Sequence, residues 1–274
     1  MTIREIYNVE EIRPFVADIL ADPVFGAPAL ARWPHLYACK LTAVAASPRD
    51  RLLGVYRGGE LTGVFSFLLL PDERYAECLC ALSREAEAYR AAFGEIRKAC
   101  PGWLFDCVCP VENRLYRDAC AALGGRFETP QLALRMDALH LTPGDKTARP
   151  YSPEYEAGYR AIHVDEDMYW TAERVLADGG FDVYLALDGN RVIGYADVRR
   201  FPEAEDEVYN VVVLPEYRKR GYGRALMLAA LSGGDARKMY LQVDEDNAPA
   251  LALYRSLGFR EQPEESTVTV HIAL

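Results

Sequence analysis

This chain of 274 residues is poor in the residues from which a metal centre, a membrane span or a nucleic-acid surface is usually built. Histidine occurs only at His35, His140, His163 and His271. None falls in a pair at metal-ligand spacing, and His163, beside Asp165 and Asp167, reads as part of a solvated loop. No stretch approaches the roughly 20 apolar residues needed to cross a bilayer, so no membrane partner is expected. The opening MTIREIYNVEEIRPF carries acidic residues and no apolar core before a small-residue cleavage site, which predicts no signal peptide and a cytoplasmic location. Basic residues are the minority, 31 against 41 acidic ones, for a net charge of -10. That balance disfavours nonspecific nucleic-acid binding and is mildly compatible with a cationic amine as substrate. Cysteine is absent from the second half. All seven, Cys39, Cys78, Cys80, Cys100, Cys107, Cys109 and Cys120, lie in the first, an odd number that predicts mostly reduced thiols. Cys78-x-Cys80 and Cys107-x-Cys109 sit at a spacing that shares one face of a strand, where thiols pack as small apolar groups; no metal is expected.

Against this background the segment Val211 to Ala225, VVVLPEYRKRGYGRA, stands out. A β-branched run stops at Pro215, passes through a basic turn bearing Gly221 and Gly223, and enters a helix. Glycine lets the backbone turn tightly and approach a ligand, and the first turn of a helix carries N–H groups without intrahelical partners. Arg218, Lys219, Arg220 and Arg224 add local positive charge within an acidic chain. The combination predicts a cradle for a phosphate group. Neither the Walker loop nor the dinucleotide fingerprint Gly-x-Gly-x-x-Gly occurs here.

Downstream, LQVDEDNAPALALYRSLGFR reads as a strand, an acidic loop and a helix with clear bounds. Asn247 suits an N-cap, Pro249 the first turn, and Gly258 a left-handed stop. Leu251, Tyr254 and Leu257 recur at three-residue spacing, which also suits a core aromatic at 254.

The pattern Arg218-x-x-Gly221-x-Gly223 after Leu214-Pro215-Glu216-Tyr217, followed by Asn247 and Tyr254 on one helix, resembles the acyl-CoA signature of the GNAT superfamily of N-acetyltransferases. The resemblance implies acetyl-CoA as co-substrate and a sheet that splays open beside the strand ending at Leu214. It further implies that the backbone of Val211, Val212 and Val213 pairs with the pantetheine amides. Arg220, Gly221, Tyr222, Gly223, Arg224 and Ala225 would supply amides to the pyrophosphate, with Arg218 and Arg224 adding charge and Asn247 contributing to the acyl-CoA site. Tyr254 would act as the acid beside the thioester sulfur.

The chain also contains itself twice. An offset of 131 residues lays VYRGGELTGVFSFLLLP on ALDGNRVIGYADVRRFP, and one of 134 lays CPVENRLYRDACAALGGRF on VDEDNAPALALYRSLGFRE. Each copy ends in an alternating strand, QLALRMDAL and STVTVHIAL, and the polar stretch 141–150 between them predicts a linker. Where the second copy has Arg218 to Arg224, the first has REAEAYR, a glycine-free run in which no phosphate cradle forms; Cys120 matches Tyr254.

The elements read as α+β, and the resemblance implies two tandem GNAT-like domains, each a mixed, mostly antiparallel sheet flanked by helices. Residues 1–142 form a degenerate copy without the acyl-CoA motif, and residues 143–274 bind acetyl-CoA. In the second copy, helices are predicted at 153–162, 168–178, 221–232 and 247–257. Strands are predicted at 181–188, 191–200, 206–214, 238–243, 259–262 and 266–273.

Acetyl transfer to an amine needs a base, because a lysine-like amine with a pKa of about 10 is ammonium at neutral pH. Glu207 is the candidate, in the register at which histone-acetylating members of the family carry a catalytic glutamate, although it lies in an acidic run at a strand entrance. Tyr209, Asn210 or ordered water remain alternatives. The expected acceptor is a primary amine, chiefly of a small molecule, with antibiotic, polyamine, amino acid and protein N-terminus all open; the resemblance implies that it is bound by variable segments, here 163–180 and the first copy. A non-catalytic acyl-CoA-binding or sensory module is the competing function. Sheet edges pairing between the copies or between chains in a homodimer stay open.

Overall fold

The computed structural model describes residues 1–27, 34–137, 146–165, 170–201, 205–233 and 238–274. The boundary expected between 142 and 143 lies outside the described residues, as do 141–145 of the expected linker and 168–169 of the expected helix 168–178. The chain divides into two compact units. One comprises Met1–Leu132 with Gln262–Leu274, the other Ala133–Glu261.

In the first unit, β1 (Thr2–Glu5), β2 (Arg51–Arg57), β3 (Glu60–Leu70), β4 (Tyr75–Ser83) and β5 (Leu104–Pro110) follow one another across the sheet, and the C-terminal strand Thr267–Ala273 takes the sixth place. Helices α1 (Arg13–Leu20) and α2 (Pro34–Ala46) flank the sheet, as do α3 (Ala86–Ala99) and α4 (Arg114–Ala122). Adjacent strands are antiparallel except β4 and β5, which run parallel and pair only from Tyr75–Cys78 to Leu104–Cys107.

The second unit repeats this plan. After a two-residue strand β6 (Arg126–Phe127) in the first unit comes β7 (Gln131–Asp137), most of which belongs to the second. There the order is β8 (Arg149–Pro150), β9 (Phe181–Asp188), β10 (Arg191–Arg199), β11 (Asp206–Val213), β12 (Lys238–Asp244) and then β7. Its helices are α5 (Glu156–Ile162), α6 (Ala172–Ala177), α7 (Tyr222–Ser232) and α8 (Ala248–Ser256). The only parallel register recorded among the described strands of this unit joins Asp206–Val208 of β11 to Met239–Leu241 of β12.

The copies thus exchange their last strands. The sequence assigned 266–273 to the second domain, whereas Thr267–Ala273 pairs along its whole length with Leu104–Pro110 of the first. The alternation TVTVHIA drives Val268, Val270 and Ile272 into the first unit's core beside Phe105 and Cys107 and leaves Thr269 and His271 on the other face. Alternation specifies which residues face inward, not which sheet receives the strand.

A second departure is a matched pair of β-bulges. In the first unit Ser66 pairs with Cys80 and Phe67 with Cys78, so Leu79 is the extra residue; in the second Asp197 pairs with Asn210 and Val198 with Val208, so Tyr209 is. An extra residue breaks the two-residue alternation. Cys78 and Cys80 therefore do not share a face as expected: Cys78 packs with Phe65 and Phe93, Cys80 with Ile12 and Leu41. Cys107 and Cys109 do share one. Six of the seven free thiols are buried, and Cys39 is exposed. Among the described residues, no helix is long and apolar enough to cross a membrane, and no group of three or more His, Cys, Asp and Glu is placed to hold a metal ion.

Candidate functional site

The second half of β11 is where the sheet opens. Beyond Val208 its register with β12 ends, while Asn210 to Val213 still pair with Asp197 to Gly194 on the other side. Val211, Val212 and Val213 are each half-buried, on a strand with one edge not continued by β12. Strand backbone left without a neighbour is a template for another extended chain.

The turn that follows is built to leave a helix start bare. Lys219 and Gly221 both take left-handed backbone, at φ 58° and 89°. Gly221 is the N-cap of α7 and offers no side-chain cap. The first amide that returns to the helix is Ala225 N–H, 3.0 Å from the Gly221 carbonyl. The N–H groups of Tyr222, Gly223 and Arg224 therefore head the helix without the i−4 carbonyls that later residues have. Gly223 matters for a different reason. A Cβ there would stand 3.3 Å from Leu253 Cδ2 and 4.0 Å from Val213 Cγ2, so this glycine is where the end of β11, the start of α7 and α8 converge.

The cations brace this corner. Arg218 Nε donates to the Val213 carbonyl (3.0 Å), Arg220 lies over the Tyr217 ring (5.5 Å), and Arg224 reaches Ser256 Oγ of α8 (3.4 Å). Asn247 caps α8 by accepting from Ala250 N–H (3.2 Å), and Gly258 ends the helix at φ 97°. Tyr254 is buried on α8 with its ring 5.8 Å from that of Phe259, and burial pushes its phenol up to about 12. Val213, Arg218, Gly221, Gly223, Arg224, Asn247 and Tyr254 thus occupy one strand end, the turn that follows it, and two adjoining helices with their caps.

Glu207 sits apart, in the closed part of the sheet. It pairs in register with Arg199 on β10 and Tyr240 on β12 and is buried rather than exposed in an acidic run. Burial first, and the nearby Glu207 charge second, push the Tyr209 phenol up to about 12. The bulge at Tyr209 turns Asn210 to the face that carries Glu207 and Asp197.

Sequence reasoning missed a buried ion pair of this unit, His163 with Asp197. His163 is buried, its ring stacked on Tyr195 (4.9 Å) and edge-on to Tyr159 (5.1 Å). Its Nε2 lies 3.0 Å from Asp197 Oδ2 and its Nδ1 2.7 Å from Asp165 Oδ1. Burial opposes the imidazolium, but the two carboxylates outweigh it and raise the His163 pKa. Nothing local marks His163 as buried, because its counterion Asp197 stands 34 residues away. Residues 166–169 of the expected acceptor segment, Asp167 among them, lie outside the described residues.

The first unit treats the matching place differently. Only Arg84 and Glu85 separate β4 from α3, where residues 214–221 separate β11 from α7, so the basic glycine turn is absent rather than altered. Tyr89 of α3 bridges the split instead. Its hydroxyl donates to the Ser83 carbonyl (3.0 Å) on β4 and accepts from Asn113 Nδ2 (3.0 Å) at the start of α4, while its ring stacks on Tyr116 (5.3 Å).

Residues 146–259 match the model of the acetyltransferase (GNAT) family. The chain carries a GNAT acetyltransferase domain. Over 78 residues the chain is 42% identical to the N-alpha-acetyltransferase RimI of Mycobacterium tuberculosis, covering 27% of this chain and 49% of that protein. Over 116 residues it is 37% identical to the mycothiol acetyltransferase of Actinosynnema mirum, covering 41% and 38%. The matches therefore span less than half the length of these curated relatives. A tandem GNAT protein from the clavulanic acid biosynthesis pathway superposes with a TM-score of 0.63 at 16% identity over 98% of this chain and 97% of its own, a likeness of fold. The GNAT domain contains the whole glycine turn, both flanking helices and His163.

Proposed function

We propose that this protein is an N-acetyltransferase that moves an acetyl group from acetyl-CoA to the primary amine of a small molecule. The observation that carries the reading is the meeting, at Val213 and Gly223, of an unpaired strand edge with an uncapped helix start. An anion and an extended amide chain fit that pair of features, and the cofactor has both. The first turn of α7 would hold the pyrophosphate through backbone N–H groups, with Arg218 and Arg224 adding charge. The edge of Val211 to Val213 would hold the pantetheine arm as an added strand.

When bound, acetyl-CoA supplies a thioester whose acyl carbon accepts the amine and whose sulfur leaves as thiolate. Glu207 is proposed to take the ammonium proton, directly or through water. Tyr254, with a phenol near pKa 12, stays protonated at neutral pH and donates a hydrogen bond to the departing sulfur. A thiolate with a conjugate pKa of about 8.5 is the weaker base, so this phenol stabilises it more readily than it gives up its proton. The relatives named mycothiol acetyltransferase and N-alpha-acetyltransferase are in keeping with an acyl acceptor outside the nucleic acids. The first unit is proposed as a degenerate copy that holds no cofactor, and seven free thiols fit a cytoplasmic setting.

The test is CoA release, followed by thiol detection, from acetyl-CoA across a panel of amines. Amine-dependent turnover supports the transferase. Tight acetyl-CoA binding with no turnover on any amine overturns it in favour of a binding module.

A further inference from the structure

Asp197 is a fully buried carboxylate on β10, and the acyl-CoA motifs give it no task. It accepts from the Tyr159 hydroxyl (2.9 Å), faces His163 Nε2 (3.0 Å) and accepts from Asn210 Nδ2 (3.4 Å). Each ring nitrogen of His163 meets a carboxylate, so both carry protons and the imidazolium balances the Asp197 charge. Burying such a pair is costly compared with an apolar one. The first unit avoids the cost at the same bulge, where Ser66 and Cys80 pair in place of Asp197 and Asn210. The charged version stands only in the unit that has the glycine turn.

Asn210 is half-buried, on the part of β11 that has left β12, and the bulge turns it to the face of Glu207. Its amide has two ends with opposite chemistry. A carboxylate only accepts, so Asp197 holds the NH2 end and turns Oδ1 the other way. An ammonium only donates, so it needs that oxygen and is repelled by the NH2 end. We propose that Asn210 presents Oδ1 to the ammonium of the acceptor and that Asp197, held by His163 and Tyr159, is the positioning residue that prevents the amide from flipping. This assignment rests on the amine-transfer reading above.

The experiment measures steady-state kinetics of the full chain with spermidine, tyramine, glucosamine and L-lysine as acceptors, alongside calorimetric acetyl-CoA affinity. On the best of these amines, Asn210→Ala raises the amine KM about 10- to 100-fold, the span of a lost hydrogen bond to a charged group, and leaves acetyl-CoA affinity within twofold. Asp197→Asn produces the same split. The double variant is no worse than the more impaired single one, because both remove one oriented contact. Asn210→Ala keeps the test open if Asp197→Asn fails to fold. If wild type turns over and Asn210→Ala keeps its amine KM within twofold, or loses acetyl-CoA affinity instead, the assignment falls alone. If wild type releases no CoA with any of the four, the transferase reading falls and takes the assignment with it.

Discussion

Asn113 Nδ2 and the Tyr89 hydroxyl lie 3.0 Å apart, closing in the first unit the split that stays open in the second. Asn113 caps α4 as Asn247 caps α8, with Oδ1 accepting from Tyr116 N–H at 3.0 Å. The cap is repeated, but in the first unit its NH2 is spent on a tyrosine from the same chain. Tyr89→Phe removes the hydroxyl and leaves a buried amide donor unsatisfied, which is expected to lower stability by about 1–3 kcal/mol. Acetyl-CoA affinity of the full chain should not change. Urea unfolding with calorimetry reads both, and a folded variant that loses acetyl-CoA would place the cofactor in the wrong unit.

The glycine turn gives a sharper contrast. Gly221 has φ 89°, which strains any β-branched residue, whereas the Cβ of an alanine at Gly94, inside α3, meets nothing within 4 Å. Gly221→Val is expected to reduce acetyl-CoA affinity at least about 100-fold, by moving the amides at the head of α7. Gly94→Ala is expected to stabilise the protein by about 0.5–1 kcal/mol and leave affinity alone. Equal affinities in wild type and a folded Gly221→Val would remove the phosphate cradle.

Much of this architecture was legible in the sequence because it is local. The predicted strand 181–188 is Phe181–Asp188, and the helix bounded by Asn247, Pro249 and Gly258 runs from Ala248 to Ser256. Caps, turns and glycine stops act over a few residues. What escaped depends on partners remote in sequence. Val268, Val270 and Ile272 announce a strand with one buried face, yet the sheet it joins is set by its pairing with Leu104–Pro110, more than 150 residues away. The bulges at Leu79 and Tyr209 leave no mark in residue type, so the faces of Cys80 and Asn210 were unreadable.

Tyr254→Phe isolates the hydroxyl on α8. The ring is buried beside Phe259, so its packing survives the change. The expected result is a fall in kcat of about 100-fold with acetyl-CoA affinity preserved, since the contact forms only as the sulfur gains charge. Isothermal binding and turnover separate the two terms. An unaltered kcat would make Tyr254 a packing residue.

The buried imidazolium makes stability depend on pH with a definite sign. His163 has a raised pKa because Asp197 and Asp165 outweigh the opposing effect of burial, with Tyr159 and Tyr195 as the other titratable groups against the ring. Its stabilisation is fully present below the unfolded value of about 6.5 and is lost as pH rises through the folded value. Asp165 acts in the opposite sense. Its carboxyl is lowered, chiefly by the Ala172 N–H, so its contribution exists above about pH 3.9 and is lost only as pH falls. His271 also has a raised pKa, set by Glu128 and Asp106, but it is common to wild type and His163→Gln and cancels in their difference. The gap in melting temperature between the two proteins should therefore be widest near pH 5–6 and shrink toward pH 8–9. A gap that stays flat or widens over that range would mean that the ring is neutral in the folded chain, and Asp197 would then lack the charge that balances it.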